Sequence, residues 1–152
     1  MTNTQNVTAT FALQEIVEPS EQPTPNIPLL RKAVEWAEAE SLRAEDGEWD
    51  QREWRMVTDC GTTYCIAGYV CFINGAEWER PRGAMTIHAD ADDDPEYTWT
   101  TEEGRWTTVE ARARRLLGIS MEESGRLFYP CEDIGGVRYV AEQIATRAGE
   151  RL

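Results

Sequence analysis

Two side chains that proteins commonly use for catalysis and anion binding are almost missing from this 152-residue chain: Lys32 is its single lysine and His88 its single histidine. Imidazole chemistry therefore has one candidate. The other cations are fourteen arginines, outnumbered by 28 acids, and the net charge is −13. No apolar run approaches the roughly 18 residues that a spanning helix needs, and no basic start leads into an apolar stretch. Neither a membrane span nor a secretory signal is expected, and the cytosol is the expected compartment. Only four cysteines are present. A chain of this length makes about one domain and buries about two thirds of its unfolded surface. Folding should need neither a metal nor a disulfide, and in a reducing compartment the cysteines are expected as thiols. The preference for arginine over lysine suggests a GC-rich coding genome.

The acidity is uneven. Residues 1–60 carry twelve acids against five bases, 61–106 nine against three, and 107–152 seven against seven. Phosphate binding needs clustered Lys and Arg that this chain lacks, so direct nucleic-acid and membrane partners are not expected. A protein with a basic surface is the expected partner.

Residues 1–26 are rich in Thr, Asn, Gln, Glu and Pro. That composition buries too little to offset its ordering entropy, so a flexible arm is expected there, with a partner-binding strand at Thr10 to Val17 as an option. Residues 27–152 read as a single globular domain. Pro28 suits a first helical turn, and Leu29, Leu30, Ala33, Val34, Ala37 and Leu42 recur at helical spacing to about Ala44. Thr62 is the expected N-cap of a central helix that Asn74-Gly75 closes. The helix is apolar on nearly every face and should be buried on nearly every face. Tyr97 to Thr101 and Arg105 to Thr107 flank a turn and predict a hairpin, to which Ala84 to Ala89 adds a third strand. Thr107-x-x-Glu110 and Ser120-x-x-Glu123 read as capping boxes before two further helices. Val137, Val140, Ala141, Ile144 and Ala148 line a last one. The expected fold is mostly α within an α+β class: a central buried helix packed by four to five others, with a small β insertion.

Several constellations could carry chemistry. Cys60 stands just before the expected central helix, where a helix N-terminus favours the thiolate. Asp59-Cys60-Gly61 before an apolar helix resembles cell-wall peptidases of the papain-like class, with His88 as the available base for a thiol hydrolase. That class presents its base farther downstream, on a strand within a substantial sheet, and the default reading of Cys60 is a small packed residue. Cys60, Cys65, Cys71, Cys131 and His88 are the chain's zinc-type ligands. Cys65 and Cys71 lie six positions apart in one expected helix, unlike the close pair of a zinc knuckle, and the plainer reading is buried thiols acting as small hydrophobes. Asp90-x-Asp92-x-Asp94 resembles the opening of a calcium loop, but Pro95 stands where glycine is wanted and Thr101 where glutamate is. No resident cofactor is therefore expected. Asp90, Asp92, Asp93, Asp94 and Glu96, with Glu102 and Glu103 on a nearby turn, form the expected acidic binding face. Trp54, Trp99 and Trp106 could stack on a planar ligand such as a nucleotide, in a pocket between the central helix and the hairpin.

Taken in order, Trp49-Asp50-Gln51-x-x-Trp54, Asp59-Cys60-Gly61-Thr62-x-x-Cys65-x-Ala67-Gly68, Ala113-x-x-Leu116-Leu117-Gly118-Ile119 and Leu127-Phe128 resemble an uncharacterised family of small proteins from bacteriophages of actinobacteria. The resemblance runs from about Ala33 to Ala145, and members often carry Trp where this chain has Tyr69. It implies a phage accessory protein, and it brings no catalytic residue or ligand with it. The resulting expectation is a non-catalytic protein, acting in the host cytosol, that binds and modulates a host protein, as an acidic mimic or an anti-defence factor.

Overall fold

The structure, a computed structural model, describes residues 22–43, 46–58, 61–79, 86–129 and 133–152. The arm as far as residue 21, the Thr10 to Val17 option, Asp59, Cys60, Cys131 and the Ala84 start of the third expected strand lie outside those residues. The fold is α+β and mostly helical. Among the described residues five helices surround one core, with a two-stranded ribbon and a four-stranded antiparallel sheet beside them.

Helix α1 (Ile27–Ser41) starts where Asn26 accepts a hydrogen bond from the Leu29 amide, with Pro28 in its first turn. Ile27, Leu30, Ala33, Val34 and Ala37 form its buried stripe. It stops at Ser41, short of the expected Ala44, because the Ser41 hydroxyl turns back onto the Glu38 carbonyl and the Glu40 carboxylate accepts from the Glu48 amide. The chain is already docked before this helix begins. The Asn26 amide donates to Leu117 O, and the Thr24 carbonyl lies so near Gly118 that a β-carbon there would stand 2.0 Å from it.

The central segment departs most from expectation. Gly61–Tyr64 is not helical but forms strand β2, paired antiparallel with β1 (Arg55–Thr58) in the register Arg55↔Tyr64 to Thr58↔Gly61. Helix α2 (Ile66–Ile73) starts only after it, with Cys65 rather than Thr62 at the N-cap. Two threonines and a tyrosine favour extended backbone, and Arg55–Thr58 supplies the partner that makes the extended choice stable. Helix α2 packs against α1 and against α3 (Val109–Leu117) and α4 (Met121–Phe128), while α5 (Ile134–Arg147) closes the other side of α1 and α4. Phe72 remains half exposed, so burial is not complete around α2.

The four-stranded sheet runs β3 (Trp78–Glu79), β4 (Thr86–His88), β6 (Gly104–Thr107), β5 (Thr98–Thr101). The expected hairpin and third strand are present, and β3 adds a short fourth. A 3-10 turn at Pro95–Tyr97 takes Tyr97 out of the hairpin. The first expected capping box does not form, because the cap moves one residue on and places Ala111 where glutamate is needed. Thr108 caps α3 by accepting from the Ala111 amide, whereas Thr107 ends β6 and its hydroxyl donates to the Tyr97 carbonyl. The second box forms as expected between Ser120 and Glu123. Among the described residues no helix is long and apolar enough to cross a membrane.

Candidate functional site

Trp49, Gln51, Trp54, Cys65 and Gly68 form one framework around the start of α2. Gln51 is its hub and is 8% exposed. Its side-chain oxygen accepts from the Trp49 indole and from the Ile66 amide, both at 3.1 Å, and its nitrogen donates to Leu127 O at 2.9 Å and Phe128 O at 3.3 Å. One amide side chain thus serves an orphan N–H at the start of α2 and two carbonyls at the end of α4. The Trp54 carbonyl crosses α2 at Gly68, where any β-carbon would sit 1.7 Å from it. The Cys65 sulfur accepts from the Gly68 amide at 3.3 Å.

The same geometry relocates the thiol chemistry. The helix start that would activate Cys60 is at Ile66, and the cysteine that meets it is Cys65. Burial pushes the Cys65 thiol up to about 12, against the opposing pull of the Gly68 and Ala67 amides, and burial also raises the Cys71 thiol. Both are protonated at neutral pH, and Cys71 donates to the Val109 carbonyl. The His88 ring lies on Trp106, with centroids 4.1 Å apart. Among the described residues no three His, Cys, Asp or Glu side chains gather as a metal-ligand set.

The aspartate loop is partly a buried ion-pair lock. Asp93, 3% exposed, takes two hydrogen bonds through Arg112 Nε and Nη2, at 2.8 Å and 2.5 Å, and others from Arg115 and the Asp90 amide. Burial opposes ionisation of Asp93, but these donors outweigh it and hold the carboxyl below its ordinary range. Arg112 also donates to the His88 carbonyl at 2.7 Å, and Arg115 pairs with Asp90 at 2.8 Å. Asp93 therefore leaves the expected acidic face, and Asp90 is shared with α3. Asp94 caps the 3-10 turn through the Glu96 amide, so the alternating aspartates build a turn. Asp90 is exposed but paired with Arg115, and the other exposed acids of the expected face are Asp92, Asp94 and Glu96 before β5, and Glu102 and Glu103 after it. The two groups stand at opposite ends of one strand.

No family model, curated protein or solved structure matches the chain.

The tryptophans do not make the expected stacking pocket. Trp106 is fully buried and its indole donates to Thr101 Oγ1 at 2.8 Å. Trp99 pairs with it across β5 and β6 and is 40% exposed. Trp54 instead meets Phe128 and Tyr129 edge-on, beside a cavity of about 150 Å³ lined also by Gln51, Arg52 and Cys65. The sequence reading missed two features. One is the pairing of Arg112 and Arg115 with the aspartate loop, signalled only by an arginine between the buried positions Val109 and Ala113. The other is the aromatic surface in which Tyr64 stacks on Phe72 and leans on Trp78, with Arg55 above Trp78.

Proposed function

We propose that the protein is a non-catalytic, phage-encoded accessory protein that binds and modulates a host protein through a basic surface on that partner, in the host cytosol. The observation that carries this reading is the set of exposed acids at the two ends of β5. Among the described residues Asp92, Asp94, Glu96 and Glu102 form no ion pair, whereas Asp90 and Asp93 are spent on Arg112 and Arg115. Exposed carboxylates that have no ion pair among the described residues can steer a cationic partner. The resemblance to actinobacteriophage proteins supplies the host as the place of action.

The test is affinity purification from an actinobacterial lysate with the wild-type chain and with Asp92→Asn/Asp94→Asn/Glu96→Gln. A reproducible host protein should be retained by the wild type, lost from the triple variant, and released as salt rises from about 50 mM to about 500 mM, where the Debye length falls to a few ångströms. Retention that ignores both salt and the triple substitution would overturn the reading.

A further inference from the structure

Among the described residues strand β5 is an open edge of the four-stranded sheet. The two-residue Glu102–Glu103 turn closes on the pair Thr101↔Gly104. Such a turn brings its flanking residues into a bonded pair, and bonded pairs alternate along an antiparallel ladder. Thr101 and Trp99 therefore spend their backbone groups on β6, while Thr98 and Thr100 turn theirs to the open side. The Thr98 amide agrees with this assignment, since it donates to the Pro95 carbonyl. Thr100 and Trp99 are both exposed.

We propose that β5 is a docking edge that takes an extended Lys- or Arg-bearing segment of a partner protein as an added strand. The proposal rests on the acidic-surface reading and specifies its geometry. Four residues of strand span about 13 Å. A cationic side chain at one end of an added segment reaches Asp92, Asp94 and Glu96, and one at the other end reaches Glu102 and Glu103. Between them the Thr100 backbone offers ladder hydrogen bonds, and the exposed Trp99 ring offers an apolar and cation-attracting face. Among the described residues the other edges of the two sheets lack this combination. Strand β1 exposes Met56 and Val57 but carries Arg55, and the nearby Asp50 is paired with Arg52. Strand β3 is two residues long.

The test uses the full chain and three synthetic peptides of equal charge: one alternating Lys and Val, the same peptide N-methylated at alternate residues, and a helix-forming Lys/Ala peptide. Calorimetry gives affinities, and backbone amide NMR gives the contact site. The alternating peptide should bind and shift the amides of residues 98–101. N-methylation, which leaves the protein untouched, should weaken binding at least about tenfold, equivalent to about 1.4 kcal/mol. Thr100→Pro removes the outward donor at a position where an edge strand tolerates proline, and should weaken it similarly while the thermal midpoint stays within a few degrees. Equal binding of all three peptides would overturn strand addition but leave the acidic surface standing. Amide shifts centred on β1, or no binding of the alternating peptide, would overturn the docking edge, and the salt-dependent purification then decides the broader reading separately.

Discussion

Replacing Gly68 by alanine sets helix propensity against tertiary packing, with opposite predicted signs. Glycine to alanine within a helix ordinarily gains about 0.5–1 kcal/mol. At Gly68 the new methyl would stand 1.7 Å from Trp54 O and 2.8 Å from its carbon. The obstacle is backbone, anchored on one side by the Glu53 carbonyl accepting from the Cys65 amide at 2.9 Å and on the other by the Trp54 ring against Phe128 and Tyr129. Relief needs a shift of more than 1 Å in that segment, and overpacking of this kind costs about 1–3 kcal/mol or more. Net destabilisation of about 0.5–2.5 kcal/mol should lower the thermal midpoint by about 1–10 °C for a chain of this size. Gly125 in α4 is the internal control, because nothing lies within 4 Å of its absent β-carbon. Gly125→Ala should raise the midpoint by about 1–4 °C through propensity alone. Thermal unfolding followed by circular dichroism measures both. A neutral or stabilising Gly68→Ala would refute the close approach of the Trp54 carbonyl to α2.

Gln51→Leu should cost about 2–5 kcal/mol, since it strands the Ile66 amide, the Trp49 indole and two α4 carbonyls that the hub now satisfies; urea unfolding that shows less than about 1 kcal/mol would refute the hub. Asp93 and Glu123 both have carboxyls held below their ordinary values of 3.8 and 4.5, in each case because arginine and amide donors outweigh the opposing effect of burial. A depressed carboxyl contributes stability that is present above its unfolded value and lost as pH falls through its folded value. The thermal midpoint should therefore hold above about pH 5 and fall below about pH 4, and in Arg112→Met the Asp93 contribution should shrink, because only Arg115 and the Asp90 amide then oppose the effect of burial. Iodoacetamide at neutral pH should leave Cys65 and Cys71 unmodified in the native chain and label both in denaturant, as read by peptide mass spectrometry; native labelling of Cys65 would refute its burial and raised thiol.

The helices were legible because their signals are local. Ser120 caps where its side-chain chemistry predicts, and the expected apolar spacing matches the buried stripe of α5 and, for Leu30, Ala33, Val34 and Ala37, that of α1, whereas Leu42 lies past the end of α1 and is exposed. The hairpin of β5 and β6 was legible for the same reason, since a Glu-Glu-Gly turn lies between β-favouring residues. The Gly61–Tyr64 strand was not. Read alone, Cys60 to Phe72 is one apolar stretch, and only the pairing of Arg55–Thr58 divides it into strand and helix. The acidic face was legible as charge but not as a surface: Arg112 and Arg115, remote in sequence, withdraw Asp93 and Asp90 from it.

Composition and order of residues alone determined a mostly helical α+β fold with a small sheet, strongly acidic in its first two thirds, because burial periodicity, caps and charge are properties of neighbouring residues. The tertiary structure decided which of those residues remain available. It made Cys65 a cap, Gln51 a double helix clamp, Gly68 a crossing point and Trp106 a core residue. It left Trp99 and a divided set of carboxylates around an open strand edge. Availability depends on what a distant segment covers, pairs or neutralises, and such contacts between remote positions are not written in any local run of the chain.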